Sequence, residues 1–453
     1  MLFVLLPFIH YAQELEVVEE GEMDLIGVDD IKELDPKQKS GRPQGFHLID
    51  TTLFLKAVYE FDQNLLPKFG HFYTTPNQKP TRILFNDSII ISDILGIIGD
   101  QFFVSARTHS TGNELWVYSL KNQQASLVKE MIPGSNGKHI QNVVVKDEKL
   151  YFMGTDEQHG KDLWVSNGTA SGTHLIVDAF EDQDPFIKDL INFRDHLYYW
   201  GKAHLYRSNG EKGNGMEIKI HNDGDINYNA IVPLGESLLI SVSTSDGGRL
   251  YTYEPSNNKV NLIKTSKNKA SFANLYPTEA IKGYSYFTIR SDDPDVTGLW
   301  KTNGKSEGTI RIPMPDTNIT DLRMLYPIGD RIYFTAFEDK LGGAIWVLDC
   351  ENDHIFRLVN TLNLPKTPYP HSYIGSPGRV YFQIGLTDKE LWMTDGTEAG
   401  TKCIMRTSKS QDFTEYVLLG NNLIFNATIL GTLERELFHH TNGNEKPKLY
   451  FNF

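Results

Sequence analysis

The sequence predicts an all-β protein, a single β-propeller of eight or nine four-stranded blades, and two observations carry that prediction. The first is a phrase that recurs along the 453-residue chain. Its fullest copy is Glu390-Leu391-Trp392-Met393-Thr394-Asp395-Gly396-Thr397-Glu398-Ala399-Gly400-Thr401, and 162–173 and 298–309 repeat it with few changes. The second is an aromatic series in register with the third position of the phrase: Tyr73, Trp116, Trp164, Tyr206, Tyr251, Trp300, Trp346, Trp392 and Phe438. Its members are spaced by 42 to 49 residues, about 46 on average. A fixed period of this size marks a repeat architecture, and it matches one propeller blade.

The unit around the second strong copy can be read in full. Ile140 to Val145 is a first strand, Lys146-Asp147-Glu148 a turn, and Lys149 to Met153 a second strand; Asp162 to Ser166 is a third and Thr173 to Val177 a fourth. Short aromatic runs such as Leu150-Tyr151-Phe152, Ile332-Tyr333-Phe334 and Val380-Tyr381-Phe382 stand in the second-strand place and favour strands. Gly168, Gly304, Gly396 and, in the weaker last copy, Gly443 supply the positive φ that a tight connection needs. Gly172, Gly308 and Gly400 are expected to meet a similar backbone need where the chain re-enters the fourth strand. A lone four-stranded blade leaves two apolar faces open, so blades must stack, and the aromatic series is expected to pack between neighbours. The alternative use of these rings is a carbohydrate-stacking platform.

Composition bounds the function. A net charge of −14 argues against nucleic acid, which needs a basic footprint, and against anionic membrane surfaces. No apolar run is long enough to span a membrane. Cys350 and Cys403 stand at non-equivalent places in adjacent units and read as free thiols, with one inter-blade bridge left open.

At the N-terminus, Met1 to Tyr11 is apolar and leads to Ala12-Gln13, like the core and cleavage site of a secretory signal peptide without its basic region. Residues 1–13 are therefore read as a leader and 14–45 as an acidic lead-in. Residues 46–453 are read as the propeller, a ring expected to act as a monomer.

With these residues in view, the chain resembles the ELWxxDGT repeat family of secreted or surface-associated bacterial proteins. Three copies match well; Glu114-Leu115-Trp116, Ala344-Ile345-Trp346 and Glu436-Leu437-Phe438 keep part of the phrase. The resemblance implies a propeller-like array and export to the periplasm or cell exterior; it implies no shared activity. A resemblance to the Asp-box hairpin of sialidases is weaker, because here Trp precedes Asp-Gly instead of following it.

No motif carries specific chemistry. Gly304-Lys305-Ser306-Glu307-Gly308 fits the letters of a nucleophile elbow, but it is the turn of the repeat and a strand, not a helix, is expected after it. Leu299 stands where a phosphate loop needs Gly. His439 and His440 are adjacent in a strand, so their rings point to opposite faces. The acidic loops 291–295 and 181–184 leave calcium open without matching a defined calcium loop, and no other cofactor is implied.

The leading functional expectation is a secreted or cell-surface scaffold, without catalysis, that binds a protein or a glycan. A carbohydrate-active enzyme with funnel carboxylates and a purely structural module are the alternatives. If the leader is cleaved as read, N-terminal sequencing of the exported protein finds Gln13 or Glu14 first; a mature chain that retains Met1 overturns that reading.

Overall fold

A computed structural model of the chain describes residues 42, 44–61, 67–85, 88–134, 140–178, 188–201, 204–220, 226–266, 271–273, 280–290, 296–316, 319–338, 342–359, 371–385, 389–406, 413–428, 435–441 and 447–451. The leader and nearly all of the lead-in lie outside these residues. The described residues form thirty-six strands and no helix, in nine four-stranded antiparallel sheets set in a ring. The chain is thus a nine-bladed propeller, which decides between the two blade counts the sequence allowed.

Each blade is four consecutive strands paired in chain order: I (44–83), II (90–129), III (141–177), IV (188–218), V (227–265), VI (271–311), VII (319–359), VIII (371–406) and IX (413–451). The first strand of blade I, Gln44–Ile49, begins inside the stretch read as lead-in. Blade III has strands Gln141–Lys146, Lys149–Gly154, Asp162–Ser166 and His174–Val177, close to the sequence reading. Its first hairpin turns through Asp147 and Glu148, with φ of 49° and 56°. Two left-handed residues in a two-residue loop make the turn whose twist suits a hairpin.

No single core exists among the described residues. The buried apolar residues fall into nine clusters, and each cluster takes its residues from two adjacent blades. The period-2 alternation of a strand explains the division. In the third strand of blade VII, Ala344, Trp346 and Leu348 join the cluster with blade VI, while Ile345 and Val347 join the cluster with blade VIII.

The aromatic series occupies this scheme in a regular way. Trp116, Trp164, Tyr206, Tyr251, Trp300, Trp346 and Phe438 are buried in the third strands of their blades, on the face toward the preceding blade. Trp392 takes the same face half-buried. Several stand opposite an aromatic of the second strand, as in Phe152–Trp164, Phe334–Trp346 and Phe425–Phe438. Tyr73 does not fit. It packs toward blade II, and its neighbour Phe72 faces the preceding blade, IX. One residue along a strand reverses the face, so Phe72 holds the repeat position in blade I.

Blade IV places Tyr199 opposite the anchor Tyr206, where five other blades have Phe. The ring is fully buried, its hydroxyl has no hydrogen-bond partner among the described residues, and burial drives its ionisation far up. An unpaired buried hydroxyl costs about 1–3 kcal/mol. Tyr199→Phe is therefore expected to leave stability unchanged or raise it, read by urea denaturation; a loss above about 1 kcal/mol would show a hidden partner. Trp164→Ala, at a site 2% exposed, is expected to cost about 3–5 kcal/mol in the same measurement.

Candidate functional site

The polar half of the phrase builds the connection between third and fourth strands. In blade VIII, Asp395 Oδ1 accepts from the N–H (2.9 Å) and hydroxyl (2.7 Å) of Thr397. Thr394 Oγ1 accepts from Gly396 N–H (2.9 Å) and meets Thr401 Oγ1 at 2.7 Å. Thr401 then donates to the Thr397 carbonyl and Gly400 N–H donates to Thr397 Oγ1. Asn167 in blade III and Asn303 in blade VI repeat the role of Asp395. The Thr397 hydroxyl and N–H hold the Asp395 carboxyl below the usual carboxylate range.

The two glycines of the turn serve different ends. Gly168, Gly304 and Gly396 have φ of 86°, 86° and 92°, and they also lie against the preceding blade, Gly396 beside Arg331 and Tyr333. Gly172, Gly308 and Gly400 lack positive φ, which corrects the expectation for them. Any side chain there would overlap Asn167, Asn303 or Asp395, so close approach is what they provide. Gly443 lies outside the described residues. The phrase is thus consumed by its own turn and by packing, including the Lys305-Ser306 stretch.

The other concentration of polar groups is the mouth of the central channel. The channel is lined by first strands, which neighbour one another round most of the ring. In eight of the nine blades the pairing of first with second strand slips near the start of the first strand, placing an extra residue at one level: Gly45, Ser92, Asn142, Asp189, Asn229, Asp321, Ser372 or Thr414. Gly45, Asn142, Asp189, Asp321 and Ser372 are left-handed there, with φ of 50° to 66°. Bulges re-aim side chains and recur beside functional sites.

This rim is polar, and most of its carboxylates are engaged within the ring. Asp189 accepts from the Tyr228 hydroxyl of blade V. Asp321 pairs with Arg323 at 2.7–2.8 Å. Glu415 accepts from Phe46 N–H at 3.0 Å. Asn426 Oδ1 fills the bulge of blade IX, accepting from Thr414 N–H and Glu415 N–H. Ser92, Asp93, Asn229, Ser372 and Thr414 are exposed there. Sequence reasoning missed this rim, because its members share no residue type beyond smallness and polarity.

Other titratable groups are structural. The first position of the phrase is buried in blade II, where Glu114 accepts from Met131 N–H (2.7 Å) and Ile132 N–H (3.3 Å). Burial pushes its carboxyl up, against the pull of those two donors. His159 lies between Asp156, 2.9 Å from Nδ1, and Asp178, 4.0 Å from Nε2. The Asp156 hydrogen bond raises its pKa. His440 is buried against the Tyr381 hydroxyl at 3.0 Å, whereas the His439 ring packs edge-on against Tyr450. Cys350 and Cys403 are free and buried, and burial pushes both thiols up to about 12. The acidic loops 181–184 and 291–295 lie outside the described residues, and no group of three or more His, Cys, Asp or Glu able to hold a metal occurs among the described ones. No helix there is long and apolar enough to cross a membrane.

No family model matches the chain, and no curated protein matches it. Among solved structures, dipeptidyl peptidase 4 of Porphyromonas gingivalis is similar in fold, with a TM-score of 0.52 at 8% identity over 86% of this chain and 65% of that one. A structure from a study of two prolyl endopeptidases aligns at a TM-score of 0.46 and 10% identity, covering 87% of this chain and 55% of that chain. The β-propeller domain of the Trilobed protease from Pyrococcus furiosus aligns at 0.40 and 11% identity, covering 92% and 97%. The chain thus spans only part of the two peptidases.

Gly400→Ala is expected to cost about 1–3 kcal/mol despite its ordinary φ, and Asp395→Asn to stay within about 0.5 kcal/mol, both by urea denaturation. His71, half-buried beside Lys56, has its pKa pulled from 6.5 down to about 4, mainly by desolvation and then by the lysine charge. The unfolded chain takes up that proton first, so stability is full above pH 6.5 and falls as pH drops toward 4. His71→Gln is expected to flatten that limb of a stability-versus-pH curve; an unchanged slope would assign the limb to other groups.

Proposed function

We propose that the chain is a non-catalytic binding scaffold of the ELWxxDGT repeat kind, exported to the periplasm or cell surface, and that it recognises a protein or glycan through the channel rim. The observation that carries this reading is the rim itself: bulges in eight blades, seven of them with a small polar side chain and one with Gly45, stand at one level of the mouth. A rigid ring that presents adaptable hydrogen-bonding groups suits recognition. Three of the four rim carboxylates are tied to a neighbour, which suits positioning more than proton transfer.

A photo-crosslinking side chain at Asn229 or Ser372 should capture a partner from envelope extract, and the same group at Lys121, on the turn face, should not. Asn229→Ala, which also removes the amide's hydrogen bonds to the Ser241 and Ser243 hydroxyls, should weaken the captured interaction about tenfold, some 1.4 kcal/mol. Capture from the turn face alone would overturn the rim. Hydrolysis of a glycoside panel, lost on Asp189→Asn with Asp321→Asn, would overturn the absence of catalysis.

A further inference from the structure

Four Asn-Gly pairs fall among the described residues: Asn167-Gly168, Asn209-Gly210, Asn214-Gly215 and Asn303-Gly304. Such a pair carries a latent reaction. The glycine nitrogen attacks the carboxamide carbon of the asparagine and forms an N–C bond. The side-chain nitrogen leaves as ammonia, taking the proton of the glycine N–H, and a five-membered succinimide closes. Water then opens that ring to aspartate or isoaspartate. The attacking nitrogen has to give up its proton, and glycine has no side chain to obstruct it.

Three of the pairs stand at one place in the phrase and are held alike. Gly168 N–H donates to Ser166 Oγ, Gly210 N–H to Ser208 Oγ and Gly304 N–H to Thr302 Oγ1, each at 3.0 Å, and all three hydroxyl residues are buried. The asparagine side chains are fixed too. Asn167 Oδ1 accepts from the N–H and hydroxyl of Thr169, and Asn303 Oδ1 from Lys305 N–H. Asn209 accepts from Glu211 N–H and donates to the Glu211 carboxylate. Attack by any of these glycine nitrogens first breaks its bond to a buried hydroxyl.

Asn214-Gly215, on the turn face of blade IV, is built differently. Both residues are exposed, and Gly215 N–H makes no hydrogen bond among the described residues. At its place in the phrase, Thr173, Thr309 and Thr401 donate to the Ala170, Ser306 and Glu398 carbonyls. The Asn214 carboxamide is polarised for attack, since its Oδ1 accepts from Asn209 N–H at 3.1 Å. The Ser208 hydroxyl donates to the Asn214 carbonyl, which draws charge from the Gly215 nitrogen and eases the loss of its proton. We propose that Asn214 is a site of spontaneous modification, converted to aspartate or isoaspartate in the folded protein, while the hydroxyls of Ser166, Ser208 and Thr302 guard the other three pairs. This follows from the turns and holds whatever the rim binds.

Peptide mass mapping of the unaltered protein, kept in warm and mildly alkaline buffer, tests this. Trypsin cuts after Lys212 and so puts Asn209 and Asn214 on separate peptides. Asn214 should convert about tenfold faster than Asn167, Asn209 and Asn303, with its aspartate and isoaspartate products resolved by chromatography. In guanidinium the four rates should converge. Conversion at Asn214 no faster than at the other three overturns the site. The same ranking with and without denaturant assigns the difference to local sequence and overturns the part played by the fold. Ser166→Ala should speed conversion at Asn167 about tenfold and leave Asn303 unchanged; an unaltered rate at Asn167 overturns the guard. The comparison within the unaltered protein decides whether or not that variant folds.

Discussion

Everything in this molecule depends on the fact that a four-stranded sheet with two apolar faces cannot be left alone in water. Each blade must be covered on both sides, and the only inexhaustible supply of covering surface is another blade. A linear stack would leave its two ends bare. Closing the stack into a ring covers the ends with each other, and the cluster formed by Leu55 and Phe72 with Leu419 and Leu437 is that closure. The hydrophobic effect, which is non-directional, thereby acquires a direction through the alternation of strands.

The repeated phrase divides its labour along the same line. Its Leu-Trp part faces neighbours: Leu163 turns toward blade IV and Trp164 toward blade II. Its polar part bonds to itself, so that Asp395, Thr397 and Thr401 brace one another at an exposed turn. A sequence motif can thus recur for reasons that have nothing to do with a ligand. What varies between blades, at the mouth of the channel, is where recognition has room to differ.

The legibility of the sequence follows from the same physics. The fold was readable because packing and turn constraints repeat, and repetition adds weak signals: Trp164, Trp300 and Trp346 identify one another. Tyr73 misled because Phe72 and Tyr73 are adjacent aromatics on opposite faces, and a spacing of about 46 residues does not resolve one residue in a period that itself varies. Gly400 misled differently. Positive φ and close approach both select glycine, and only coordinates separate them. The rim was illegible because Gly45, Ser92, Asp189 and Thr414 share a register slip, and a slip is a relation between two strands that neither strand spells out alone.

Nine separate cores have a consequence for how such a chain ages through descent. Nearly every buried apolar side chain among the described residues belongs to one cluster, so a substitution disturbs one pair of blades and is answerable by a change in one neighbour. A protein with one continuous core has to accommodate each change throughout. Here a substitution in one cluster can be answered within its own pair of blades.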